Sequence, residues 1–330
     1  MPSLDPAIAE VRRAVRAALG ALPDGATVIV ALSGGADSLA LTAATVFEAR
    51  ARHITVLSLT VDHQLQEGSD MAAASAAVAA ESIGVHDALQ TKVSVISGGA
   101  GIEAAAREAR YAAIGSIARA EGAAAVLLGH TLDDQAETVL LGLARGSGAA
   151  SLQGMAPVRT SDDGMLWMRP LLGVRREITR RACTASGIEV WDDPHNLDSR
   201  YARVRTRQRV LPVLEAELGP GIAEALARTA EQLREDAEAF EEMIHETIED
   251  IVEHAEAGIA VSVAALAANP AALRNRIIRL VVDSEFGVSL TRTQTLEVAR
   301  LVTDWSGQGP IDLPACTARR AGGQIVFSAR

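Results

Sequence analysis

Two rhythms of apolar and polar positions run through the first half of the chain. Ile8, Val11, Val15 and Leu19 recur at three- and four-residue spacing, which predicts a helix from Pro6 to Leu19, ended by Gly20. Short continuous apolar runs follow, rich in β-branched residues: Thr27 to Ala31, Ile54 to Val61, Ala88 to Val95 and Ala124 to Leu128. Each has the length of a strand buried on both faces. Helical stretches separate them, from Ser38 to Arg50, from Asp70 to Ile83 with Ser69 as its cap, and from Ile102 to Glu121. This alternation implies parallel strands joined by crossover helices, with ligands bound beyond the carboxyl ends of the strands. Gly34, Asp62 and His130 all fall at such ends.

A short strand after Met165 leads through Arg169-Pro170 into a further helix. From Gly221 onward the pattern is helical, with an apolar stripe of Leu226, Leu233, Phe240, Ile244, Ile248 and Ile251 on a long helix whose other side is acidic. Asn269-Pro270 opens another helix, Thr293 to Val302 forms one more, and Pro310 to Ser328 reads as short strands. The expected fold is α/β: a parallel-stranded Rossmann-like sheet over residues 1–214, an all-helical domain over 215–305, and a strand-like tail over 306–330.

Composition narrows the class without fixing it. With 330 residues, 48% hydrophobic and 22% charged, the chain can bury a sizeable core. No apolar run approaches the ~18 residues of a membrane span, and the N-terminus lacks the apolar stretch of a signal peptide. Two cysteines far apart, Cys183 and Cys316, suit a reduced cytoplasm, Cys183 as a small buried residue. A net charge of −11 argues against a nucleic-acid partner, but the charge is unevenly placed. Eleven acids and one arginine lie between Glu231 and Glu256, and five arginines and no acid between Arg200 and Arg209. Such a molecule has two electrostatic faces. The acidic one reads as a solvated or homodimer-related face rather than a catalytic one.

The chemistry is organised around the run from Val28 to Leu41, VIVALSGGADSLAL. Strand, glycine turn and helix start together aim backbone N–H groups at one point, at the positive end of a helix, where phosphate binds. The only lysine is Lys92, so this is no Walker loop, and no G-x-G-x-x-G is present. Ser33, Gly34, Gly35, Ala36 and Ser38 form the phosphate turn, and Asp37 beside it suits a Mg²⁺ ion shared with phosphate oxygens. The bland alternative is a helix capped after a glycine turn. Asp62-His63 ends the second strand at the same edge.

A second block, LGHTLDDQAETVLLGLARGSG, places Thr131 and Asp134 at capping-box spacing and Asp134 and Glu137 on one helix face beside His130. That set can hold a metal, an amine or a ribose, or it is a cap and a solvated face. Arg145 to Gly148 forms a loop that suits a lid or an RNA contact. Glu103, Arg107 and Arg110 share a stripe, either pointed at a polyphosphate or paired internally. Arg200, Arg203, Arg205, Arg207 and Arg209, with Tyr201 among them, make a basic segment that is either an RNA surface or a solvent-facing one.

The SGGADS run resembles the PP-loop of the ATP-pyrophosphatase superfamily, whose members adenylate an oxygen and let a nitrogen or sulfur nucleophile displace AMP. Further motifs in fixed order are VDHQLQEGS at Val61, EAAAREARY at Glu103, the Gly129 block, RPLL at Arg169 and WDDPHNLDSRYARVRTR at Trp191. Together they resemble the tRNA(Ile)-lysidine synthase family over roughly the first two thirds of the chain, and the helical region is similar to that family's second domain. Little length remains for the further C-terminal domain of longer members, so the chain looks like a short form.

The resemblance implies ATP and Mg²⁺, an isoleucine tRNA with a CAU anticodon, and free lysine. The wobble cytidine is adenylated, and the lysine ε-amine then displaces AMP. On that reading Ser33 to Ser38, Asp62 and His63 hold the nucleotide and Asp37 the metal. Asp37, Arg107, His130, Asp134 and Glu137 serve catalysis, Asp134 and Glu137 also holding the lysine ammonium. Arg110 meets phosphate or the adenylated base, and Arg200, Arg203, Arg205 and Arg207 the RNA. The rival readings are a tRNA thiolase, for which two cysteines are a poor supply, a glutamine-fed synthetase, for which no glutaminase segment is visible, and a non-catalytic nucleotide sensor.

Overall fold

The computed structural model describes residues 4–62, 64, 68–93, 102–146, 148–191, 198–255 and 258–330. The chain forms two compact units, residues 1–234 and 235–330. Among the described residues no helix is long and apolar enough to cross a membrane.

In the first unit, helix α1 (Pro6–Leu19) leads to strand β1 (Thr27–Ala31), helix α2 (Ala36–Ala49), β2 (Thr55–Asp62), α3 (Ser69–Ile83), β3 (Asp87–Lys92), α4 (Ile102–Ala120) and β4 (Ala125–Leu127). Then come α5 (Leu132–Ala144), the short α6 (Ala149–Leu152), β5 (Val158–Thr160), β6 (Leu166–Met168) and α7 (Arg176–Ala185). The unit closes with α8 (Ala202–Arg205), a π-helical turn (Thr206–Val210), α9 (Leu211–Leu218) and the start of α10 (Ile222–Ile251).

The strand order is β3-β2-β1-β4-β6-β5, parallel except for β5, which returns antiparallel on β6. Successive residues of β1 face opposite sides. Val28 and Val30 pack with α1, α2 and α7, while Ile29 joins Leu57, Ile114, Val126 and Trp167 on the other face. Burial on both faces is why these strands read as unbroken apolar runs. Chain order reverses between β1 and β4, so the crevice beyond their carboxyl ends is the place where an open α/β sheet binds its ligand.

Two helix starts differ from expectation. The second helix begins at Ala36, with Gly35 in extended conformation as its cap, so Asp37 and Ser38 lie inside its first turn. The third begins at Ser69, because Gly68 at φ +82° makes the turn that the serine was expected to cap.

The second unit starts inside α10 and adds β7 (Val252–Ala255), β8 (Gly258–Ser262), α11 (Val263–Ala268), α12 (Ala271–Phe286), α13 (Arg292–Thr303), β9 (Ile311–Asp312), β10 (Cys316–Ala321) and β11 (Gln324–Ala329). Its strands form one antiparallel sheet, β7-β8-β11-β10-β9. The all-helical domain of the sequence reading is therefore corrected to a mixed one. The tail strand β11 pairs with β8, and Leu266, Ile277, Ile278, Val298, Ile325 and Phe327 share a single core. The apolar stripe of α10 is real, with Ile244 and Ile251 buried in that core and Phe240 and Ile248 packed on it.

Candidate active site

The loop after β1 is built for close approach. Gly34 sits at φ +81°, a backbone region that side chains disfavour, and its carbonyl accepts the Trp191 N–H at 3.2 Å. Ser38 Oγ donates to the Gly35 carbonyl at 2.9 Å and accepts the Ser33 N–H at 3.2 Å, with the Ser33 hydroxyl 3.2 Å away. Gly129, just past β4, lies against this turn. A Cβ there would stand 3.1 Å from the Ser38 nitrogen and 3.2 Å from the Asp37 carbonyl oxygen. The two strand ends thus meet with Gly129 directly on the Asp37–Ser38 backbone.

They open onto a cleft of about 870 Å³, lined by Ser33, Gly35, Ala36, Asp37 and Ser38 from the first loop and by Gly129, His130 and Asp134 from the second. Asp62, buried at the end of β2, lines it as well and accepts the Gln64 N–H at 2.8 Å. Arg107, Arg110 and Tyr111 enter from α4, Arg176 and Arg180 from α7, and Arg203 and Arg207 from α8 and the π turn. His63 lies outside the described residues, as do the side chain of Glu103, Ser147 of the loop after α5, and residues 192–197 of the Trp191 block.

Behind the cleft is a lattice of three carboxylates and three guanidinium groups. The Thr131–Asp134 capping box forms: Asp134 Oδ2 accepts the Thr131 N–H and hydroxyl, both at 2.9 Å. Its Oδ1 accepts Arg176 Nη2 at 2.7 Å. Glu137, wholly buried, accepts Arg176 Nη1 at 3.1 Å and both Nε and Nη2 of Arg207, at 2.7 and 3.1 Å. Arg203 Nη2 donates to the Thr138 hydroxyl at 3.0 Å, and its Nε lies 3.8 Å from Glu137. Asp37 accepts Arg176 Nε at 3.3 Å and the Thr179 hydroxyl.

Burial pushes the Asp37 carboxyl above its usual range, with Thr179 and Arg176 only partly opposing. Asp134 goes the other way. Burial would raise it, but Arg176, the Thr131 N–H, His130 and Arg207 outweigh burial and hold it low. The Arg176 cation is strengthened in turn, its three carboxylates overcoming burial. Burial, with Arg107 and Arg203 nearby, lowers the pKa of Arg110. His130 is pushed down to about 4, by burial first and also by Arg169, Arg107 and Arg203. Its buried Nδ1 has no hydrogen-bond partner among the described residues.

The expected site residues are therefore gathered, with two qualifications. Asp134 and Glu137 do not stand open for an ammonium, since guanidinium groups already hold them. The basic tract divides by helical phase: Arg203 and Arg207, one turn apart, reach the carboxylates, while Arg200 and Arg205 are exposed elsewhere. There Arg200 pairs with Asp198 and Arg205 donates to the Ser199 and Arg200 carbonyls. Sequence reasoning missed Arg176 and Thr179. Their only signal was their place in the helix after Arg169-Pro170, between two of the motifs that carry the family likeness.

The cleft offers a metal ion the Asp37 carboxylate, with Ser33 and Ser38 on the same turn. Among the described residues no group of three or more His, Cys, Asp or Glu is arranged to hold one. That donor set fits Mg²⁺, which is commonly held by one or two carboxylates and completed by substrate phosphates.

Residues 9–214 match the family model described as the PP-loop domain, and residues 262–326 match the TilS substrate binding domain. The tRNA(Ile)-lysidine synthase of Leifsonia xyli subsp. xyli is 56% identical over 93% of this chain and 91% of its own length. Those of Rhodococcus erythropolis and Thermobifida fusca are 49% and 48% identical, covering 97% and 98% of this chain and 96% and 98% of theirs. Among solved structures, the U34-tRNA thiolase NcsA of Methanococcus maripaludis, with its 4Fe–4S cluster, superposes with a TM-score of 0.57. It does so at 19% identity, over 69% of this chain and 80% of its own, a likeness of fold alone.

Proposed function

Because the chain belongs to the tRNA(Ile)-lysidine synthase family, we propose that this cleft adenylates the wobble cytidine of a CAU-anticodon isoleucine tRNA and then couples it to free lysine. The observation that carries the reading is the meeting of the Ser33–Ser38 turn with Asp134, and Glu137 buried one turn behind it, at one cleft at the switch point of the sheet. Phosphate activation and amine capture need that adjacency.

The turn after β1 offers backbone N–H groups and the Ser33 and Ser38 hydroxyls to the ATP phosphates. As the cytidine O2 attacks the α-phosphate, the bond to pyrophosphate breaks and charge builds on the leaving group, within reach of those donors and of the arginines lining the cleft. Mg²⁺, when bound, supplies further neutralisation of phosphate charge; Asp37 would hold it together with phosphate oxygens. Arg107 and Arg110 stand on the α4 side to meet phosphate or the activated base.

In the second half, the lysine ε-amine attacks C2 of the adenylated cytidine and AMP departs with the O2 oxygen. The amine must arrive without its extra proton, and Asp134 and Glu137 orient its ammonium beforehand by exchanging a guanidinium bond for it. His130, neutral above about pH 4, presents an unprotonated ring nitrogen beside them. Holding amine and adenylate together removes up to ~7–11 kcal/mol of entropic barrier in well-oriented models. The anticodon loop is single-stranded, so its base can be splayed into the cleft. The exposed Arg200 and Arg205 lie where RNA phosphates can reach them, and the reduced cytoplasm is the setting that fits such a substrate.

Incubating the protein with ATP, radiolabelled lysine and unmodified isoleucine tRNA tests this directly. Label in the RNA, dependent on ATP, is the expected result. ATP binding with no label transferred would leave only a nucleotide sensor.

A further inference from the structure

Arg176 stands between three carboxylates. Its Nε, Nη1 and Nη2 each donate to a different carboxylate: Asp37 at 3.3 Å, Glu137 at 3.1 Å and Asp134 at 2.7 Å. Arg207 touches Asp134 and Glu137, and Arg203 approaches Glu137 alone. Among the described residues, Arg176 therefore joins the phosphate-loop helix to the carboxylates of α5. Its backbone is fixed, because the Arg176 N–H donates to Asp133 Oδ2 at 2.8 Å. Its guanidinium lines the cleft.

We propose that Arg176 is a positioning residue that couples nucleotide binding to lysine binding, closing Asp134 and Glu137 to other cations until phosphate draws its guanidinium away. This rests on the lysine-ligating reading above. The physical basis is competition for one cationic place. A carboxylate pair already bonded by a guanidinium gains little from an incoming ammonium, and admitting one would crowd like charges. A polyphosphate next to Asp37 changes that balance, because guanidinium bonds phosphate with charge-assisted, often bidentate geometry. Arg176 needs to swing only from one wall of the cleft to the other, from a backbone that stays anchored. Its departure frees Asp134 Oδ1, which it bonds at 2.7 Å, and its share of Glu137 Oε1 for the substrate, beside the phosphate it must react near, while Arg207 keeps its grip on Glu137. A ligand shifts such an equilibrium only through its different affinity for the two arrangements, and the coupling is reciprocal.

The test is lysine binding to the full chain by titration calorimetry, with and without the non-hydrolysable analogue α,β-methylene-ATP and Mg²⁺. Wild type is expected to bind lysine at least about fivefold more tightly when nucleotide is present, within the ordinary range of coupling. In Arg176→Gln that ratio falls to near one, because the nucleotide-free protein already binds lysine as the loaded wild type does. Arg176→Lys retains the charge but cannot span three carboxylates, so its ratio lies between, and it serves if the glutamine variant does not fold. A scaffold role predicts something different: weaker lysine binding by a similar factor in both states. That result, or a wild-type ratio of one with lysine bound, overturns the proposal and leaves the enzymatic reading standing. Wild type that binds no lysine in either state, loaded or not, overturns both.

Discussion

Arg207 grips Glu137 with two parallel bonds, Nε to Oε1 at 2.7 Å and Nη2 to Oε2 at 3.1 Å, around a carboxylate with no solvent exposure. Bidentate geometry of this kind is the strong form of the ion pair. It makes the end of the basic tract a structural partner of α5 as well as a lining of the cleft.

Glu137→Gln removes that charge at nearly constant volume and leaves Arg176 and Arg207 short of a partner. Breaking a buried pair from one side costs about 3–5 kcal/mol. The urea midpoint of the variant should fall accordingly, and lysine transfer should disappear with it. An unchanged midpoint would show that the pair contributes no net stability.

Asp37→Asn should behave in the opposite sense. Burial raises the Asp37 pKa, so the native state holds its proton more firmly than the unfolded chain. Stability contributed by the protonated form is present at low pH and is lost as pH rises through the window between the ordinary value of 3.8 and the raised one. At neutral pH the charged carboxylate is a net burden that asparagine relieves. The variant should melt higher than wild type while pyrophosphate release is abolished. Equal or lower melting at pH 7 would remove the burial argument, and retained turnover would remove the metal-side role.

His130 works with the other sign. Its pKa is lowered from 6.5 to about 4, so the unfolded chain binds the proton that the native state refuses. The associated stability is complete above about pH 6.5 and is lost as pH falls toward 4. Nuclear magnetic resonance should show no His130 titration between pH 5.5 and 8 (roughly the range over which ordinary histidines titrate). His130→Gln should flatten the loss of stability on mild acidification.

Arg205→Ala tests the outer half of the tract. Arg205 is exposed and bonds only backbone carbonyls among the described residues, so its loss should leave the ATP KM unchanged. If it contacts RNA phosphate, tRNA binding weakens and the log–log salt slope shrinks by about 0.7–0.9. Filter binding across a salt series measures this; an identical slope would take Arg205 off the RNA surface.

The phosphate turn and the Asp134 cap were legible in the sequence because each is local. A β-branched run, two glycines and a helix start specify the first, and Thr131-x-x-Asp134 specifies the second. What resisted reading was contact at long range and competition between propensities. Arg176 meets Asp37 across 139 residues, and nothing in its neighbours announces that meeting. The arginines from 203 to 209 alternate as they would on a strand, but the segment is helical, so only residues one turn apart share a face. The acidic stretch after Glu231 favours helix by composition, yet Val252–Ala255 pairs with Gly258–Val261, sheet pairing overriding local preference.

Every cation lining the described cleft is an arginine. Guanidinium stays protonated at any physiological pH and has no lone pair to spend on an electrophile. An activated nucleobase formed between these walls would thus be surrounded by positive charge and yet meet no amine belonging to the protein. Among the described lining groups no primary amine competes for that electrophile, so the amine that reacts would be one that diffuses in.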